Sequence, residues 1–140
     1  MMNKIVLASH GDLAKGMRQT AEMIIGTSEN IYALSAFRDE DEPVNIQLEK
    51  LLAEIGYEDV YLLTDIFGGS VNNDLLAIQQ VHPEVTLIAG MNLPLVISIA
   101  TQFQKISEET LAHLVAESQQ GMINCKQLLQ QQIQIGGDDL

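Results

Sequence analysis

Ile5-Val6-Leu7-Ala8-Ser9-His10-Gly11-Asp12-Leu13-Ala14-Lys15 is the stretch that decides the fold. An apolar run ends in a histidine, a glycine follows at once, and an amphipathic segment begins: the order of a buried strand, a tight turn and a helix. It places an imidazole at the carboxyl end of a strand, where open α/β sheets gather their ligand sites. A second run, 60–64, stops the same way at Asp65 and passes through Ile66-Phe67-Gly68-Gly69 into Ser70 and another helix. Two polar groups at two strand ends can then face each other. One is a nucleophile open to covalent modification, and the other is a carboxylate able to hold its tautomer.

The same alternation continues on both sides of these runs. Helical spacing covers 13–25, with Leu13, Met17, Ala21 and Ile24 expected on the inner face and Gly26 as the stop. Residues 31–36 predict a strand. The acidic cluster 39–42 predicts a solvated loop, and Pro43 suits the first turn of a helix carrying Val44, Leu48, Leu51, Leu52 and Ile55. Strands over 59–64 and 84–89 flank a helix that starts at Ser70, turns Val71, Leu75 and Ile78 inward and stops before Pro83. A short helix begins near Leu93. Ser107 with Glu108 and Glu109 marks another helix start, which packs Leu111, Leu114 and Val115 and ends at Gly121. The expected fold is therefore α/β, with four parallel strands in a central sheet, helices on both faces and right-handed crossovers. The segment 122–135, with its run Gln130-Gln131-Gln132, fits a strand or a helix equally well. An apolar tail on a small domain docks somewhere, and a partner subunit is one place for it. Residues 1–135 are expected to form one domain, with 136–140 a frayed tail.

Composition narrows the function. The chain has 140 residues, enough for one core, and its net charge of −12, from 19 acidic against 7 basic residues, leaves no basic stripe for nucleic acid. No apolar run approaches the roughly 20 residues that span a bilayer, and Met1-Met2-Asn3-Lys4 leads straight into a strand. A cytoplasmic protein is the expectation. The single Cys125 excludes an internal disulfide, and no metal-ligand spacing surrounds it. Neither nucleotide-binding glycine motif occurs, so no cofactor or metal is expected.

For an imidazole to take a phosphoryl group, one ring nitrogen must be free while the other N–H is held by an acceptor, the part Asp65 can play. Free amides at two helix starts, after Gly11 and at Ser70, are ready anion donors. Gly68 and Gly69 let the backbone approach, and Ser70 adds a hydroxyl; the less favoured alternative is that Ser70 only caps its helix and the glycines only turn the chain. His82 and His113 follow no strand end and are expected at the surface. Lys15 and Arg18 are expected as solvated helix cations.

Three motifs in order, Ala8-Ser9-His10-Gly11, Leu63-Thr64-Asp65-Ile66-Phe67-Gly68-Gly69-Ser70 with Asn72-Asn73, and Ile88-Ala89-Gly90-Met91-Asn92-Leu93-Pro94, resemble the IIA component of the mannose-type sugar phosphotransferase system. The resemblance covers nearly the whole chain. It implies a phosphotransferase acting as a phosphohistidine relay: the histidine matching His10 accepts phosphoryl from HPr and passes it to a IIB component, which phosphorylates sugar entering through membrane IIC and IID partners. It implies that Asp65 orients the imidazole and that Ser70 lines the phosphate site. It further implies a homodimer exchanging an antiparallel edge strand, which would be 122–126, and a freestanding IIA protein without a fused IIB domain. The phosphoryl-donor subunit of dihydroxyacetone kinase and a regulatory binding module are the rival readings; Gly68-Gly69-Ser70 and 90–94 fit the sugar-transport branch better. A phosphate-ester hydrolase lacks the second histidine and general acid it would need.

Overall fold

A computed structural model describes residues 3–37 and 42–136. Strands β1 (Lys4–His10), β2 (Ile31–Ala36), β3 (Val60–Thr64) and β4 (Thr86–Ala89) alternate with helices α1 (Leu13–Ile25), α2 (Val44–Ile55), α3 (Ser70–Val81), α4 (Leu93–Ala100), α5 (Glu108–Gln119) and α6 (Cys125–Gly136). The sheet runs in the order β2-β1-β3-β4 with every pairing parallel. The period of two along β1 divides its side chains between two cores. Ile5 and Leu7 face α1, α4 and α5, joined by Ile31, Leu63, Val96 and Ile99. Val6 and Ala8 face α2 and α3, joined by Leu48, Leu52, Leu62, Val71 and Leu75. Every residue of β3 is buried, as a strand covered on both faces must be.

Chain direction across the sheet reverses at β1. The crossover through α1 leads to β2 on one side, and the next, through α2, leads to β3 on the other. The crevice at the carboxyl ends of β1 and β3 is therefore the switch point of the sheet. His10 leaves β1 there, one strand residue beyond its neighbour Ser9 and two beyond the Ala8–Thr64 pair that ends the β1–β3 ladder.

The single chain departs from two expectations. The inner face of α1 carries Ala14 and Ala21, with Met17 and Ile25 packed against the core, while Leu13 and Ile24 are exposed. Met17 and Ala21 face the core as expected, while Ala14 and Ile25 stand where Leu13 and Ile24 were expected; at position 14 a side chain of one carbon lets the helix lie close on the sheet. The stretch 122–126 is not a strand in this chain: 122–124 is exposed coil, and α6 begins at Cys125. The cause is local. The Asn124 side chain accepts from the Gln127 N–H at 3.1 Å and its carbonyl from the Leu128 N–H at 3.0 Å, which starts a helix of good helix formers. Among the described residues the sheet accordingly has four strands. Of the acidic cluster only Glu42 lies within the described residues, where it pairs with Lys50 at 2.6 Å; the tail 137–140 lies outside them.

Candidate functional site

The site is built from the ends of β1 and β3 and the start of α3. His10 donates its backbone N–H to Asp65 Oδ2 at 2.9 Å, and its ring Nδ1 meets the same oxygen at 2.8 Å. The other carboxylate oxygen accepts the Ile66 N–H at 3.0 Å. Two backbone hydrogen bonds thus fix the carboxylate that in turn fixes the ring. The acceptor-only carboxylate requires the proton on Nδ1, so Nε2 carries the lone pair. Nε2 lies 3.1 Å from Ser70 Oγ, which donates to it. Burial raises the Asp65 carboxyl, but the His10 N–H, the His10 ring and its charge, and the Ile66 N–H together outweigh it and hold it below the usual carboxylate range. The accessibilities match these roles: the His10 side chain is 53% exposed and that of Asp65 only 10%.

Ser70 is not the cap of α3. The residue at the cap position of α3 is Gly69, with φ −74° and ψ 167°, and no side chain caps this helix. The Ser70 hydroxyl turns to the imidazole instead. Gly69 is required by space: a Cβ there would stand 2.9 Å from Ile66 Cγ2 and 3.4 Å from His10 Cε1. Gly68 has φ +78°, a left-handed turn that favours glycine. Among the described residues the amides of Gly68, Gly69 and Ser70 donate to no other group.

The turn after His10 is constructed differently. Gly11, at φ +56°, donates its N–H to the Ala36 carbonyl at 2.9 Å, so this amide is spent on joining β1 to β2. Buried Ser9 accepts the Ala14 N–H at 2.7 Å and thereby caps α1 from five residues upstream. Lys15 and Arg18 pair with Asp12 and Glu22 along α1, as expected of solvated cations. His82 stacks on Tyr57 at 4.2 Å, and exposed His113 pairs with Glu117 at 3.0 Å; neither joins the site.

Sequence reading passed over Ser9, Thr64 and Asn72. The Thr64 hydroxyl donates to Asn72 Oδ1 at 2.8 Å, and both residues are buried. The signal for Asn72 was present: it adjoins Val71 and lies one turn before Leu75, so it belongs to the inward side of α3, where an amide needs a buried partner.

An exposed imidazole oriented at one nitrogen by a carboxylate, at the switch point of a parallel α/β sheet, defines a class of site suited to group transfer through histidine. Comparison with known proteins gives the family. The family model described as PTS system fructose IIA component, EIIA-man, matches residues 4–117, and the chain belongs to this family. The chain is 26% identical over 132 residues to the PTS system fructose-specific EIIA component of Bacillus subtilis, spanning 92% of this chain and 90% of that one. It is 35% identical over 100 residues to the PTS system mannose-specific EIIAB component of Escherichia coli K12, covering 66% of this chain and 29% of that longer protein. Among solved structures, the mannose/sorbose specific IIA subunit from Enterococcus faecalis superposes with a TM-score of 0.80 at 25% identity, over 89% of this chain and 95% of that one. The chain is thus a mannose-family IIA component, of a family whose phosphoryl transfer serves sugar transport. No helix among the described residues is long and apolar enough to cross a membrane.

Proposed function

We propose that His10 accepts a phosphoryl group from phospho-HPr and passes it to a IIB component in the cytoplasm, with membrane IIC and IID partners completing sugar uptake. The single observation that carries this reading is the ring held at Nδ1 by Asp65, with Nε2 turned to Ser70. The Nε2 lone pair attacks the phosphorus of the HPr phosphohistidine. The new N–P bond forms as the old one breaks, and the HPr ring leaves with the electron pair. The proton stays on Nδ1, where Asp65 offsets the positive charge developing on the ring. The Ser70 hydroxyl and the free amides of Gly68, Gly69 and Ser70 receive the phosphoryl oxygens, while Gly11 shapes the turn that presents the ring. Transfer to IIB reverses these steps. A net charge of −12 suits a donor with basic side chains around its own phosphohistidine. Incubation with enzyme I, HPr and phosphoenolpyruvate should add one phosphoryl group by intact mass, and His10→Ala should add none while keeping its far-ultraviolet spectrum. Label on His82 or His113 would overturn the assignment.

The domain, residues 1–135, is proposed to work as a homodimer with exchanged carboxyl-terminal segments. Every β4 residue is only half-buried, and a groove of ≈ 510 Å³ opens between β4 and α5, lined by Leu87, Leu111, Ala112 and Val115. Met122, Ile123, Leu128, Leu129 and Ile133 are all exposed in the single chain, more apolar surface than a soluble monomer usually leaves uncovered. A strand from 122–124 of a second copy would cover the β4 edge. Light scattering at micromolar concentration should give twice the chain mass, and truncation after Gly121 should lower dimer affinity.

A further inference from the structure

Building on the proposed relay, we infer that Thr64 and Asn72 are positioning residues, a buried polar pin that sets the distance between the two groups clamping His10. Thr64 immediately precedes Asp65 at the end of β3, and Asn72 follows Ser70 by two residues at the start of α3. Their side chains meet at 2.8 Å, with Thr64 fully buried and Asn72 nearly so. The Thr64 carbonyl is also taken, accepting the N–H groups of Gly90 at 2.9 Å and Met91 at 2.8 Å. The end of β3 is therefore tied by its side chain to α3 and by its backbone to the turn after β4.

The segment between the tied points, 66–69, is an exposed turn containing two glycines, one of them at φ +78°. Such a turn does little to set the separation of Asp65 and Ser70 by itself. That separation decides whether one ring can meet Asp65 Oδ2 at 2.8 Å and Ser70 Oγ at 3.1 Å together. Stability is a weak reason for the pair. Both residues are buried, and replacing both members of a buried polar pair with apolar groups of similar shape is often nearly neutral. Buried, satisfied polar pairs do contribute directionality that apolar packing lacks. Thr64 at the last position of β3 and Asn72 in the first turn of α3 make a directional link between the two elements that carry Asp65 and Ser70.

The test compares Thr64→Val/Asn72→Leu, Thr64→Val and Thr64→Ser with the unaltered protein, using ¹⁵N spectra of the His10 ring in the protein alone, urea denaturation, and transfer from phospho-HPr. In the double variant the urea midpoint should stay near that of the parent, the Nδ1–H tautomer should lose its dominance, and transfer should slow by about tenfold, roughly what a modest misplacement of reacting groups costs. Thr64→Val should show the same spectral change, and Thr64→Ser, which keeps the hydroxyl, should retain the parent spectrum. A parent-like tautomer ratio in both valine-bearing variants would overturn the pin, whatever their stability. Since the spectra need no HPr, failure of the parent to accept phosphate would count against the relay and leave the tautomer result to judge the pin.

Discussion

Two turns flank His10, each a glycine-containing link from a strand to a helix, and the structure uses them in opposite ways. The β1–α1 turn is closed: Ser9 takes the Ala14 amide, and Ala36 takes the Gly11 amide. The β3–α3 turn is open, for Gly69 offers no side chain to cap α3 and Ser70 gives its hydroxyl to the imidazole. A helix start beside a functional residue is thus an anion site only where nothing else has claimed its amides. One turn holds the histidine in place, and on the proposed relay the other, with its amides unclaimed, receives the phosphoryl oxygens.

The sharpest way to break this comparison is Asp65→Asn, since Asp65 anchors the open turn through Ile66 and the ring through Nδ1. Transfer from phospho-HPr should slow by about 100-fold, the scale of losing one electrostatic stabiliser, and a rate within twofold of the parent would remove Asp65 from the mechanism. Acid denaturation should register the same carboxylate. Its folded pKa lies below the unfolded value of about 3.9, so its charge contributes stability that is complete above that unfolded value and is lost as pH falls through the folded one. The stability gap between parent and Asp65→Asn should therefore shrink as pH drops from about 6 to below about 4.

The two glycines give a smaller, crossed effect. Gly69→Ala puts a methyl group against Ile66 and the His10 ring at a backbone angle alanine tolerates, so transfer should fall by about tenfold with little change in urea midpoint. Gly11→Ala meets no atom within 4 Å but must adopt φ +56°, so stability should fall by about 1 kcal/mol with transfer nearly unchanged. Equal losses of rate in the two variants would erase the distinction between the turns.

Smallest is the pair of serines. Ser9→Ala leaves the buried Ala14 amide without its acceptor and should cost about 1 kcal/mol of stability by urea denaturation. Ser70→Ala removes an exposed hydroxyl that caps nothing, so the midpoint should hold while transfer slows severalfold, as follows from losing one hydrogen bond of roughly 1 kcal/mol. A destabilised Ser70→Ala would mean that its hydroxyl serves the helix after all.

The alternation of apolar runs with helical spacing, the histidine and aspartate at two strand ends, and the glycines that follow them are local properties. They determined the α/β class, the four strands, the first five helices and the place of the candidate site from the sequence alone, because periodicity and turn chemistry act over neighbouring residues. Three matters waited for the tertiary structure. The ends of the buried stripe of α1 depended on how the helix lay on the sheet, which turned Ala14 and Ile25 inward in place of Leu13 and Ile24. The use of each helix start depended on acceptors remote from it, Ser9 and Ala36 for one and none for the other. Residues 122–135 had matched strand and helix patterns alike, and the Asn124 cap decided for a helix from Cys125 onward in the single chain. In the first two cases contacts between residues brought together by folding made the choice, and in the third a cap within the segment's own sequence made it.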